Sequence, residues 1–196
     1  MNLSRTDSGF FRPGKSNLSS IQTLLGDFIN DRDSPSLIRK LHENKVEGLS
    51  NSSWGKSEPL EKVVINNGVA YYNDSKATNI ESVIAAIQSF SNSVILILGG
   101  KDKDSNFVEL IPFIKHNVKK IISYGQASKK IAIALRDAVE LDQVSSLRDA
   151  VEVCHKSAVP GDIVLLSPGC ASFDQFNNYE ERGNEFKKIV NEMAQA

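Results

Sequence analysis

Residues 73–79, Asn-Asp-Ser-Lys-Ala-Thr-Asn, combine one acid, one base and four hydroxyl or amide side chains. They follow a short apolar run at 69–72 and precede residues 80–87, where apolar side chains recur at helical spacing. The segment is therefore predicted at a strand-to-helix junction, where free backbone N–H groups and the helix dipole favour an anion. Because capping the helix needs only one polar residue, the surplus of polar side chains predicts a function.

Two further polar segments follow strand-like apolar runs. Residues 99–104, Gly-Gly-Lys-Asp-Lys-Asp, offer lysines and glycine N–H groups to a phosphate or a carboxylate, and a plain glycine-rich turn with solvated charges is an equal alternative. Residues 167–176 are mostly small or polar, and small residues permit close approach of the backbone to a ligand. The sequence contains neither a Walker A pattern nor a G-x-G-x-x-G fingerprint.

Cys170, in the last of these segments, is disfavoured as a nucleophile. The three histidines, His42, His116 and His155, fall on or at the end of helical patterns rather than in a strand-end loop where one of them would serve as its base. All three are interpreted as surface or packing residues. Cys154 and Cys170 have no metal-ligand spacing, so we expect two free thiols, no disulfide and no metal site.

Apolar runs alternate with helical patterns from residue 62 onward, which indicates a parallel, doubly wound α/β sheet. An Asn-Asn-Gly turn at 66–68 joins the first two runs into a hairpin, which supplies an antiparallel edge. In an open parallel sheet ligands bind beyond the carboxyl ends of the strands, where the three polar segments converge. The predicted strands are 63–65, 69–72, 94–98, 121–124, 139–141 and 163–166, and the predicted helices are 80–87, 107–116, 126–138, 146–157 and 178–194.

Residues 1–60 have a different texture and are predicted to form an N-terminal helical appendage to the domain at 61–196. They begin with a loose lead-in, continue with short helices at 17–29 and 34–43, and end in a polar linker around 49–58.

Composition excludes several classes of protein. The chain has 196 residues, 40% of them hydrophobic, which is enough for one full core. A formal net charge of −1 gives no clearly basic face for a nucleic acid, and the lysine pairs at 119–120 and 129–130 are predicted to be solvated. No apolar stretch is long enough to span a bilayer and the N-terminus is polar rather than signal-like, so we expect a cytoplasmic protein without a membrane partner.

The three polar segments together resemble the C-terminal domain of the Mur ligases, and more narrowly of the members that add D-glutamate. NDSKATN at 73–79, LILGGKDKD at 96–104 and LLSPGCASFDQFNNYEERGNEF at 165–186 come in the order of the family and at compatible spacing. The resemblance covers about residues 60–194. It implies a Rossmann-like domain that closes over the active site of an ATP-dependent ligase of peptidoglycan synthesis. Such a ligase joins an amino acid to a UDP-muramoyl precursor through an acyl phosphate.

The resemblance also implies roles for individual residues. Asn73 and Asp74 would lie at the ATP, with Asp74 facing its ribose, and Lys76 would be catalytic, facing the reacting phosphate and carboxylate. A dianionic amino acid needs a lysine together with hydroxyl and N–H donors. The residues implied for D-glutamate are Thr78, Lys103, Ser172, the backbone around Phe173, and Tyr179 at the aromatic position of the family.

Much of the family's active site has no counterpart in this sequence. The central domain of the family carries the Walker-type loop, the magnesium ligands and a modified lysine, and a further domain binds the uridine nucleotide. Residues 12–60 faintly resemble only the tail of that central domain, and Glu-Pro-Leu-Glu at 58–61 lacks the arginine expected before the C-terminal domain. We therefore expect ATP and magnesium to act only in a complete enzyme, with the missing domains possibly in another chain. A non-catalytic binding or interaction module derived from the ligase is the alternative.

Overall fold

The computed structural model describes residues 60–195. The helices predicted at 17–29 and 34–43, the linker around 49–58 and His42 lie outside the described residues. The division of the chain between residues 60 and 61 stays a prediction.

The described residues alternate strands with helices, as the apolar pattern predicted. The strands are β1 Glu61–Asn66, β2 Val69–Asn73, β3 Val94–Gly99, β4 Val118–Tyr124, β5 Glu140–Gln143 and β6 Ile163–Leu166. The helices are α1 Ile80–Gln88, α2 Ile111–Asn117 with a 3-10 turn at Phe107–Leu110 before it, α3 Ser128–Leu135, α4 Leu147–Ser157 and α5 Tyr179–Ala194.

Within residues 60–195 the six strands form one sheet in the order β1-β2-β6-β3-β4-β5. β1 and β2 are antiparallel, and every other neighbouring pair is parallel. Asn67 and Gly68 join β1 to β2 with φ values of +49° and +78°, a pair of left-handed residues that an Asn-Gly turn accommodates well. The prediction of a mostly parallel sheet with an antiparallel edge hairpin is confirmed.

The core lies on both faces of this sheet. β3 and β6 are buried along their whole lengths, which is why their sequences are continuous apolar runs. Leu96 and Leu98 pack with α1, α2 and α3 on one face, while Ile95 and Ile97 pack with α4 and α5 on the other. The sheet is therefore doubly wound. None of the helices described is long and apolar enough to cross a membrane.

The strand register brings the carboxyl ends of four strands to the same edge. Asn73 of β2 is level with Leu166 of β6, which is in turn level with Ile97 of β3. Gly99 of β3 is level with Tyr124 of β4. The loops that follow these strands consequently leave the sheet side by side.

Two predicted helices differ in extent from those observed. The helix predicted at 126–138 is shorter at both ends. It begins at Ser128, because residues 126–127 form a turn after Gly125, whose φ is +70°, and it ends at Leu135, before a turn at 136–138. The segment at 107–116 starts as a 3-10 turn, and Pro112 stands in the first turn of α2, where a helix tolerates proline.

The prediction that the lysine pair at 119–120 is solvated is wrong for Lys120. Its Nζ lies 2.7 Å from the Glu140 carboxylate and 2.8 Å from the Asp142 carboxylate, and its side chain is only 13% exposed. The neighbouring strand β5 supplies both acids. Lys119 forms an ion pair with Asp162.

Candidate functional site

The first loop (73–79) is fixed between the sheet and α1. The Asp74 N–H donates to the Leu166 carbonyl at 2.8 Å, which extends the pairing of β2 with β6 beyond the strands. Asn79 caps α1, since its side-chain oxygen accepts the Ser82 N–H at 2.8 Å. The loop thus stands at the strand-to-helix junction that the sequence predicted.

Both the oxygen and the nitrogen of the Asn73 side-chain amide form hydrogen bonds. Its oxygen accepts the Ser75 N–H at 3.1 Å, and its nitrogen donates to the Glu61 carboxylate at 2.9 Å. A Cβ atom on Gly183 would lie 3.0 Å from the same nitrogen, so this glycine lets α5 pack closely against the loop. Asn73 therefore ties the first loop to β1 beside α5.

The Asp74 carboxylate is half-buried and accepts a hydrogen bond from the Ser167 hydroxyl at 2.8 Å. Burial raises the pKa of Asp74 to about 6, while the Ser167 hydrogen bond and the positive charge of Arg182 act in the opposite direction. At neutral pH the group is an ionised acceptor that already receives one hydroxyl group.

Arg182, in the first turns of α5, joins the first loop to the third loop (167–176). Its side chain is fully buried, and its Nε and Nη2 donate to the Ser75 hydroxyl at 2.9 Å and the Ser75 carbonyl at 2.7 Å. Its Nη1 donates to the Cys170 carbonyl at 3.0 Å. The Ser75 hydroxyl in turn donates to the carbonyl of Tyr179, the first residue of α5, at 2.7 Å.

The sequence reasoning did not single out Arg182, although the helical period contains a signal for it. The buried residues of α5 are Arg182, Gly183, Phe186, Ile189 and Val190. They are spaced as one face of a helix, so the arginine stands on the apolar face rather than the solvated one. An arginine in that register predicts a buried guanidinium with hydrogen-bond acceptors around it.

The second loop (99–104) is paired with the third loop through backbone atoms. The Lys101 N–H donates to the Ala171 carbonyl at 2.8 Å, and the Ala171 N–H donates to the Lys101 carbonyl at 3.1 Å. A Cβ atom on Gly100, whose φ is +126°, would lie 2.3 Å from the Ala171 carbonyl oxygen. Glycine is therefore required where these loops meet.

The residues that the sequence singled out for ligand contact lie on these loops at one edge of the sheet, except Tyr179, which is the first residue of α5. Lys76, Lys103 and Phe173 are exposed, Phe173 at 61%. Thr78 is half-buried, and Ser172, next to the exposed Phe173, is buried. Asp74, which the sequence analysis assigned to the site, joins the first loop to the third through the Ser167 hydroxyl. Other hydrogen bonds between the loops are made by Arg182 and by backbone groups, which the sequence analysis did not assign to the site.

The cysteines and histidines do not provide a nucleophile here. Cys154 and Cys170 are free thiols, and burial raises the pKa of Cys170 to about 12. His116 lies on α2 and His155 on α4, where its Nδ1 is 3.1 Å from the Tyr71 hydroxyl. In residues 60–195 no group of three or more histidine, cysteine, aspartate or glutamate side chains is placed to hold a metal ion.

Comparison with known proteins gives a family match over the six strands and the first two loops. The family model described as "Mur ligase, glutamate ligase domain" matches residues 60–170. The chain is 48% identical over 134 residues to the UDP-N-acetylmuramoylalanine--D-glutamate ligase of Chlamydia felis, which covers 68% of this chain and 32% of the relative. The enzyme of the same description from Pseudomonas fluorescens is 48% identical over 132 residues, covering 65% of this chain and 30% of the relative. The chain therefore spans about a third of the length of the curated relatives it matches.

Among solved structures, a murein peptide ligase from Psychrobacter arcticus is similar with a TM-score of 0.48 and 11% sequence identity. The similarity covers 69% of this chain and 29% of that one.

Proposed function

This chain belongs to the Mur ligase family, and on that premise we propose that it is the D-glutamate-binding, C-terminal part of an ATP-dependent UDP-N-acetylmuramoyl-L-alanine:D-glutamate ligase of peptidoglycan synthesis. The observation that carries the proposal is the hydrogen-bonded convergence of three polar loops at the carboxyl edge of the sheet. Such a reaction consumes ATP and a nucleotide-linked precursor, which is consistent with a cytoplasmic setting.

On the nucleotide side, the first loop has groups that fit ATP. The Asp74 carboxylate already accepts a hydroxyl group from Ser167, and a ribose offers hydroxyl groups of the same kind. Asn73 holds the loop in place, and the exposed Lys76 supplies a positive charge for a phosphate beside the N-terminus of α1. In the complete enzyme ATP supplies the phosphoryl group that activates the precursor carboxylate. The role of Lys76 would be to align that carboxylate and to offset its charge.

On the acceptor side, D-glutamate presents two carboxylates, so its site needs positive charge and several hydrogen-bond donors. Lys103 would supply the charge, and Thr78 and Ser172 the hydroxyl donors. The backbone around Phe173 would supply N–H groups, with Tyr179 beside it. The backbone pairing of the second and third loops holds the segment that carries Lys103 at a fixed place relative to the turn at 172–173.

Residues 60–195 include no group of three or more histidine, cysteine, aspartate or glutamate side chains placed together, so they do not form a magnesium site from protein ligands alone. We therefore propose that the metal ligands, the triphosphate-binding loop and the uridine-nucleotide site belong to the rest of the ligase, in a longer chain or in a separate one. The 196-residue chain alone is expected to bind the acceptor amino acid without completing ligation.

A titration of the ¹⁵N-labelled chain with D-glutamate, followed by two-dimensional NMR, tests the acceptor site. We expect saturable shifts of amides in the second and third loops, weaker shifts with L-glutamate, and loss of the D-glutamate shifts in Lys103→Ala. The matched control is Lys129→Ala, which removes an exposed lysine on α3. A wild-type chain that binds neither D-glutamate nor adenine nucleotides, but binds a protein tightly, would favour the non-catalytic module instead.

An assay of ATP-dependent ligation with the purified chain alone tests the proposal that the chain is incomplete. The expected result is no product above the background of the assay. Product formation at a rate that depends on both ATP and D-glutamate would contradict it.

A further inference from the structure

Asp174 fastens the turn that carries the proposed acceptor residues. It follows Ser172 and Phe173 directly, and its Oδ2 accepts the backbone N–H of Gln126 at 3.1 Å. Gln126 belongs to the loop after β4, so the carboxylate joins the third loop to the carboxyl end of that strand. A Cβ atom on Gly125, whose φ is +70°, would lie 2.2 Å from the same oxygen. The absence of a side chain at Gly125 is therefore what lets Asp174 reach the backbone.

The second oxygen of Asp174 is buried and has no hydrogen-bond partner among residues 60–195. Asp174 Oδ1 and the Tyr124 hydroxyl are the two buried side-chain polar atoms that lack a hydrogen-bond partner within residues 60–195. Burial raises the pKa of Tyr124 to about 12, the positive charge of Arg182 acts in the opposite direction, and the negative charge of Asp174 adds to the rise. The carboxylate oxygen is an acceptor and the hydroxyl group can donate, and buried polar atoms of this kind are rarely left without a hydrogen-bond partner.

The rest of the turn is held by hydrogen bonds within its own backbone and by the side chain of Gln175. The Ser172 carbonyl accepts the N–H groups of Gln175 and Phe176 at 3.1 and 2.9 Å, which closes the turn on itself. The Gln175 side chain donates to the Ser145 carbonyl at 2.7 Å, in the loop after β5. The turn is thus closed by its own backbone hydrogen bonds, and the side chains of Asp174 and Gln175 fix its position relative to the loops after β4 and β5.

We propose that Asp174 is a positioning residue for the acceptor amino acid: by binding the Gln126 N–H with one carboxylate oxygen, it sets the place of the Ser172–Phe173 backbone in the D-glutamate site. The inference rests on the proposed function. Asp174 itself stays out of contact with the ligand, and its effect reaches the site through the turn.

Three variants of the whole chain test this role by NMR titration with D-glutamate and by hydrogen exchange. Asp174→Ala removes the hydrogen bond to the Gln126 N–H and is expected to weaken D-glutamate binding by about tenfold or more, the factor that corresponds to a hydrogen bond to a charged group. Asp174→Asn keeps an acceptor for the Gln126 N–H, so it is expected to restore binding to within about threefold of wild type. Tyr124→Phe removes only the hydroxyl and is expected to give a smaller loss than Asp174→Ala.

Hydrogen exchange reports the positioning itself, independently of ligand. Protection of the Gln126 N–H is expected to be lost in Asp174→Ala and kept in Asp174→Asn, while the amides of β3 and β6 stay protected in both. The control is Asp137→Ala, which removes an acid whose side chain is 94% exposed, and it is expected to change neither readout.

The outcomes separate the inference from the function on which it rests. A wild-type chain that does not bind D-glutamate overturns the proposed function and this inference with it. Wild-type binding that Asp174→Ala leaves intact, or that Asp174→Asn fails to restore, overturns the role of Asp174 alone. The same holds if Asp174→Ala retains the protection of the Gln126 N–H.

Discussion

Replacement of Arg182 by methionine is expected to lower the stability of the domain more than any other single change at this edge of the sheet. The guanidinium is fully buried and makes three hydrogen bonds of 2.7 to 3.0 Å, all to uncharged oxygen acceptors of Ser75 and Cys170. Methionine fills a similar volume and offers no donor. The substitution therefore leaves the two carbonyl groups without these donors at a place that water does not reach.

The magnitude follows from these contacts. Each hydrogen bond from a charged donor contributes about 1.5 to 3 kcal/mol, so the three together set an upper range of about 5 to 9 kcal/mol. The cost of keeping a guanidinium out of water disappears with the side chain and offsets part of this sum. We expect a net loss of about 3 to 5 kcal/mol, a large share of the roughly 5 to 15 kcal/mol by which domains are stable. With a urea dependence of about 2 kcal/mol per molar, the unfolding midpoint falls by about 2 M.

Urea unfolding followed by circular dichroism measures this change. The control is Arg148→Met on α4, because Arg148 lies at the surface, where its ion pairs with Glu185 and Glu192 are open to solvent. Its midpoint is expected to stay near that of wild type. Arg182→Lys keeps the charge but not the fork of donors, and is expected to fall between the two. A midpoint for Arg182→Met that equals that of Arg148→Met would refute the reasoning.

Three more changes test other parts of the site. Burial raises the pKa of Asp74 to about 6 from 3.8, so the folded chain holds this proton more tightly than the unfolded chain and the free energy of unfolding falls as pH rises through that interval. Asp74→Asn removes the cost of burying an ionised carboxylate and is expected to raise the free energy of unfolding at neutral pH by up to about 3 kcal/mol, with no gain below pH 4. Denaturation experiments that give equal gains at both pH values would contradict this. Gly125→Ala is expected to lower the unfolding midpoint more than Gly161→Ala, because both positions have positive φ but only the first places a Cβ against the Asp174 carboxylate; equal midpoints would remove the steric part of the argument. Cys170, whose pKa burial raises to about 12, is expected to react with a thiol reagent only after unfolding, and fast labelling of the native chain would show that the third loop opens.

The sheet was predictable because its signals are local. The runs at 94–98 and 163–166 are continuous and apolar, as strands covered on both faces must be, and the structure buries every residue of β3 and β6. The hairpin follows from Asn67 and Gly68, which accept left-handed backbone at little cost. The convergence of the loops then follows from the parallel topology alone.

The connections between the loops were not predictable in the same way. Asp174 binds a backbone N–H of Gln126, and a backbone donor has no side-chain type for a sequence pattern to report. The sequence predicts that Lys120 is solvated, because nothing in it shows that β5, which carries Glu140 and Asp142, lies beside β4. Arg182 stands in the apolar register of α5, but a charged residue on a helix is ordinarily assigned to solvent, and only the acceptors on two distant loops explain its burial.

The buried arginine also has a consequence for the order in which the chain acquires its structure. Arg182 and the Ser75 that it binds are 107 residues apart, and α5 follows all the strands described above. Closing the long loop between such distant positions costs conformational entropy. These contacts therefore form only after pairings elsewhere in the chain have offset that cost. During synthesis the first loop leaves the ribosome long before α5 does. A nascent chain that has emerged only as far as β6 therefore contains every one of those strands, yet lacks both the third loop and the arginine that binds the first loop to it.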